Sequence, residues 1–196
     1  MKIAKIVSSN SHLDYAARVI DALDADDTPD ASDYGFGQFV SIESGAESII
    51  GVIYDSKLIN PEYANYGPRL SPRPALGSFS PDYLNEQGIL IGILLLGTLA
   101  AGGKPVHGVP KRIVPPGHDV MKCDADVITG FHANGNSETH IHYYPIIVAH
   151  AGPFAVPLLD SIITDLCVNC SDIDRQRLGV LKQSLTWQGT FGGMRL

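Results

Sequence analysis

Hydrophobic positions fall into two regimes along this chain. Up to about residue 55 they come as short β-branched runs, at Lys2–Ser8, Leu13–Ile20, Gln38–Ile42 and Ser48–Asp55, each bounded by Gly, Ser, Asn or Asp. Short strands at such spacing predict a small β-barrel. The continuous apolar run from Ile89 to Ala101 carries internal glycines and β-branched residues, which suit a strand buried on both faces better than a helix. IVPPGHDV, from Ile113 to Val120, reads as an edge strand, because Pro115 and Pro116 cannot donate to a ladder.

Between these runs lie two segments of other character. Residues 21–33 hold six aspartates and predict a solvated loop. Asn60 to Pro81 contains five prolines without a hydrophobic period, an irregular excursion that Tyr63, Tyr66 and Leu70 would pin down. Ser80 then offers an N-cap and Pro81 a first helical position for a short helix ending at Gly88.

The last third changes period. Thr139–His150 predicts one more strand, and Val156–Cys167 and Asp172–Trp187 show apolar residues at helical spacing. In the second of these, Ile173, Leu178, Leu181 and Leu185 form the expected core-facing stripe, with Ser171 and Asp174 as an acidic capping box. The expected fold class is mainly β: a barrel domain over residues 1–125, then an α/β appendage of one strand and two helices over residues 126–196.

YGFGQFVSIESGAESIIGVIYD gives a glycine turn, a strand with Phe39 and Val40, a second turn, and a strand with Ile50, Gly51 and Val52. Further on, an apolar strand leads to the turn Pro115, Pro116 and Gly117. These segments resemble the HerA and ATP synthase barrel (HAS-barrel) family, over roughly residues 1 to 125. In that family's motor proteins a P-loop ATPase follows the barrel. Here the nearest phrase, GTLAAGGKP, has Thr98 where the first glycine belongs and Pro105 in place of the magnesium-binding hydroxyl. The resemblance therefore implies a barrel without its motor, suited to forming a homo-oligomer or docking on a separate P-loop ATPase.

Composition narrows the partners. Fourteen basic against 21 acidic residues give a formal charge of −7, which repels phosphate backbones, so no direct nucleic-acid partner is expected. With 44% hydrophobic residues in 196, the chain has core enough to fold without disulfides, and three cysteines fit reduced thiols. The start lacks a signal-peptide h-region and no apolar run is long enough to span a bilayer, so the expected location is the cytoplasm, with no membrane partner.

The strongest chemical candidate is ETHIHYYPIIVAH. In a strand, His140, His142 and Tyr144 share one face with His150 further along, a half-site for zinc or iron in a small metal-binding protein or metal-dependent enzyme. It lacks the glutamate of a cupin and the aspartate of an HxHxDH hydrolase, and the competing reading is an edge strand with hydrogen-bonded histidines. Cys167 and Cys170 form a lone CVNC at a helix end, where the dipole does not lower a thiol pKa. The aspartate run fails the EF-hand template, with Pro29 at the required glycine. No nucleophile motif stands out, so no catalytic residue and no cofactor are expected. For partner binding the candidates are Tyr63, Tyr66 and Arg69 in the excursion and Trp187 near the end, residue types that enrich interface centres and also fasten loops and tails.

Overall fold

The computed structural model describes residues 1–22, 24–59, 88–100, 102, 104–133, 138–169 and 172–192, with the backbone alone at 169, 172 and 184–192. The described residues up to 122 form seven strands: β1 (Lys2–Ser9), β2 (Asp14–Val19), β3 (Phe39–Ser44), β4 (Glu47–Ile59), β5 (Gly88–Ala100), β6 (Pro105–His107) and β7 (Asp119–Lys122). Four helices follow: α1 (Ala125–His132), α2 (Tyr144–His150), α3 (Ala155–Asn169) and α4 (Asp172–Gly192).

Six strands close into an antiparallel barrel in the order β2, β1, β7, β3, β4, β5, with β2 returning to β5. The closing ladder runs from Asp14 opposite Leu94 to Arg18 opposite Leu90. Strand β6 lies outside this ring. It takes up the β5 edge at Gly97, Thr98 and Leu99, beyond Leu94, where the pairing with the start of β2 stops. The molecule is mainly β with a helical appendage, as the hydrophobic pattern predicts.

Alternation explains the barrel wall. On β2, Tyr15, Ala17 and Val19 are buried while Asp14, Ala16 and Arg18 are half-exposed, so one face meets the core and the other meets water. β5 behaves differently, with Ile93 through Leu96 all sealed from solvent. Helix α2 packs against it, and this second cover accounts for the unbroken apolar run. Gly97 is set by a close approach: a Cβ there would collide with the Val106 carbonyl oxygen and lie 3.0 Å from the His107 Cα, so only glycine lets β6 lie against β5.

Three sequence expectations need correction. The Pro115–Pro116 segment is no edge strand: both prolines precede a turn in which Gly117 adopts a φ of 87° and donates its N–H to the Ile6 carbonyl at 2.7 Å. The strand proper, β7, starts after the prolines and sits inside the wall between β1 and β3, where Val120 faces Ala4 and Lys122 faces Val40. Thr139–His150 is not a strand either. Thr139 alone bridges to Ala133, residues 142–143 turn, and Tyr144–His150 is helical because Pro145 falls in its first turn, where a missing N–H costs nothing. In α4, Ile173 is 68% exposed and Asp174 takes the inward position, while Leu178 is buried and Leu181 packs on the core as expected.

Two helices beyond the expected pair are present, α1 and α2. α1 begins after Asp124 and carries Asp126 in its first turn, a charge that suits the helix dipole, but its short β-branched sequence hides the helical period. The aspartate loop is largely exposed, as expected, and tied at both ends. Arg18 reaches Asp21 at 3.1 Å and Asp24 at 3.8 Å, and Lys122 reaches Asp33 at 2.8 Å. The short helix expected after Ser80 and the capping residue Ser171 lie outside the described residues.

Candidate functional site

β6, α1 and the turn before α2 bring together four histidines and two aromatic rings. His107 comes from β6, Phe131 and His132 end α1, and His140, His142 and Tyr143 lie on the turn. The His107 ring centroid stands 4.4 Å from Phe131, 5.1 Å from Tyr143, 5.9 Å from His142 and 6.0 Å from His132.

Hydrogen bonds fix two of these imidazoles. His132 donates Nδ1–H to the Ile128 carbonyl at 2.7 Å, which leaves Nε2 to accept the Tyr143 hydroxyl at 2.7 Å. His107 donates Nε2–H to the Phe131 carbonyl at 2.8 Å and accepts the His142 backbone N–H on Nδ1 at 3.1 Å. Neither ring has a lone pair left for a metal. Burial pushes His132 down to about 4, lowers His107, and raises the Tyr143 phenol well above its usual value, so all three are uncharged at neutral pH. They clamp the turn and α1 onto β6.

His140 and His142 stay together although the strand that was to align them is absent: their rings lie edge-to-face at 4.9 Å. Glu138 Oε2 lies 3.5 Å from His140 Nε2 and equally 3.5 Å from Arg177 Nη1. His150 is exposed in the last turn of α2 and shares no strand face with them. Among the described residues, no group of three or more His, Cys, Asp or Glu side chains is arranged to hold a metal ion.

Beside this cluster opens a cleft of about 550 Å³ between the loop Gly35–Gln38, α1, and the facing parts of α3 and α4. Its walls are apolar at Phe36, Phe39, Ile128 and Leu166, and it is lined by the carboxylates of Glu138, Asp165 and Asp174. Asp174 is 3% exposed and accepts a hydrogen bond from the Thr139 hydroxyl at 3.4 Å. Of the thiols, Cys123 is buried and pushed up to about 11 by that burial, so it stays protonated. Cys167 is half-buried in the last turns of α3, and Cys170 lies outside the described residues.

A family model described as "Domain of unknown function (DUF8166)" matches residues 1–195. The chain belongs to the DUF8166 family. No curated protein matches it. For this DUF8166 member the described residues therefore carry the functional reading by themselves. Tyr63, Tyr66 and Arg69 lie outside the described residues, and Trp187 falls in α4 where only the backbone is described. Sequence reasoning missed His107 and Tyr143, because no spacing ties residue 107 to residues 131–132 and 142–143; His132 and Glu138 could be named only as residues that would join His140 and His142 if the fold brought them near.

Proposed function

We propose that this protein is a non-enzymatic assembly or adaptor module of the HAS-barrel type, which forms a homo-oligomer or docks on a separate P-loop ATPase, in the cytoplasm. The observation that carries the reading is where the exposed apolar residues of the barrel stand. A closed sheet has no long free edge, and this one is filled by buried Ile, Leu and Val side chains. Yet Val106, Val109 and Ile113 are 61%, 59% and 69% exposed within one eight-residue stretch that starts in β6, and Leu58 is 81% exposed near the opposite end of β5. Apolar residues gathered at the ends of a closed barrel favour end-on contacts with another protein. His107 on β6 and His132 at the end of α1, both fixed by hydrogen bonds, serve as clamps between the barrel and the helical appendage, which favours a structural role for that cluster.

Light scattering on the purified protein, with metal analysis by mass spectrometry on the same fraction, tests the reading. A defined oligomer without stoichiometric metal is the expected result. A monomer that carries one zinc or iron per chain would replace this reading with a metal site at His140 and His142.

A further inference from the structure

Strand β5 runs the length of the barrel and gives it an axis with two unlike ends. At its start, Gly88 and Ile89 lie against the base of the aspartate loop, sharing a surface cavity with Asp21, Thr28 and Pro29. Near its end, Gly97 and Thr98 share another with Val106, Val109, Lys111 and Arg112. Nine residues of strand separate Ile89 from Thr98, roughly 30 Å at the rise of an extended chain.

The two ends carry opposite charge. Asp21 and Asp24 are held by Arg18, whereas Asp26, Asp27 and Asp30 are exposed and form no ion pair among the described residues. At the other end Lys104, Lys111 and Arg112 are exposed and have no carboxylate partner among the described residues. Arg112 donates Nη1–H to the Ser44 carbonyl at 2.7 Å, which fixes its guanidinium on the β3–β4 turn. Glu47 is the one carboxylate in the lining of that cavity, where Lys111 and Arg112 outweigh it. In a chain with a formal charge of −7, a basic end interleaved with exposed Val106, Val109 and Ile113 is the exception to the surface as a whole.

We infer that the basic, apolar end of one copy receives the aspartate loop of a second copy, in a head-to-tail contact. The inference rests on the assembly reading above and names the partner and the surfaces. Pairing like ends would set Lys against Lys or Asp against Asp, so a two-fold symmetric contact through either end opposes the field, while the head-to-tail contact satisfies both charged ends. Such a contact is heterologous, and copies repeating it build a closed ring or a filament.

Light scattering at about 100 µM chain, in about 50 mM and about 500 mM salt, tests this, since screening weakens contacts between exposed charges. The wild type is expected to be oligomeric at low salt and to lose mass at high salt. The variants Lys111→Glu/Arg112→Glu and Asp26→Lys/Asp27→Lys change only exposed side chains, and each alone is expected to run as a monomer with an unchanged circular dichroism spectrum. Mixed in equal amounts they present complementary ends again, and assembly is expected to return. If the wild type is an oligomer that both variants leave intact, the head-to-tail contact is overturned and the assembly reading stands. If the wild type is a monomer at both salt concentrations, the contact and the homo-oligomer fall together. Variants that dissociate alone but fail to associate when mixed would also overturn the proposal.

Discussion

Tyr143 donates its hydroxyl proton to Nε2 of His132 over 2.7 Å, and both side chains are sealed from solvent. Tyr143→Phe removes the donor and leaves a buried imidazole nitrogen without a partner. The expected loss is about 1–3 kcal/mol in urea unfolding, with an unchanged denaturant slope. Replacing His132 by Phe in the same chain should cost less than the sum of the two single changes, because the two groups form one pair.

Acid should weaken the fold through the same imidazole. Its value falls from 6.5 in the unfolded chain to about 4 in the folded one. Between these limits the unfolded chain binds more protons, so the stability that is fully present above pH 6.5 drains away as pH falls towards 4. The expected loss is on the order of 3 kcal/mol, read from urea midpoints across that range. His107 shifts in the same direction and adds to it. In a His132→Gln variant the pH slope should shrink, and an undiminished slope would assign the effect to other groups.

Gly97→Ala tests the seat of β6. The added methyl meets the Val106 carbonyl oxygen and the His107 Cα, both backbone atoms that no rotamer change can move aside. Overpacking of this kind costs about 1–3 kcal/mol, and here it should detach β6 before it unfolds the barrel. Hydrogen exchange at Gly108, whose amide donates to the Leu96 carbonyl at 2.9 Å, is expected to speed up selectively.

Tyr15 anchors the basic segment from within. Its hydroxyl accepts the Val114 N–H at 3.2 Å in a buried setting. Tyr15→Phe leaves that amide unpaired and should cost about 1 kcal/mol or more, with faster exchange of the Val114 amide as the local signature.

The barrel was legible in the sequence because its strands are short, alternate in polarity and end at turn residues. β1 to β5 fall where the β-branched runs lie. The errors share a physical cause: local pattern does not report what packs across an element. Ile146, Ile147 and Val148 favour a strand by propensity, but Pro145 at the helix start and the burial of Ile147 made the segment helical. Ile173 belongs to an apolar period, yet the register of α4 turns it outward and Asp174 inward. The histidine clamp was hidden for a stronger reason. Its parts lie on β6, α1 and the turn before α2, each unremarkable alone, and His140 and His142 drew attention only because they are close in sequence.

Closure of β2 on β5 has a kinetic consequence. Residues 14–18 must find residues 90–94 before the ring is complete, and β7 must thread between β1 and β3 from still further along the chain. Such distant pairings yield nothing until the intervening chain has been gathered, so folding should be slow, on the order of milliseconds to seconds. Ile59 and Gly88, by contrast, face each other at the connected end of the β4–β5 ladder, so the long hairpin can zip from that pair towards Glu47 and Ala100 without waiting for the barrel. The order of events is then written into the topology: hairpin early, ring last, and the ring's ends, where the proposed docking surfaces stand, complete only when β7 is in place.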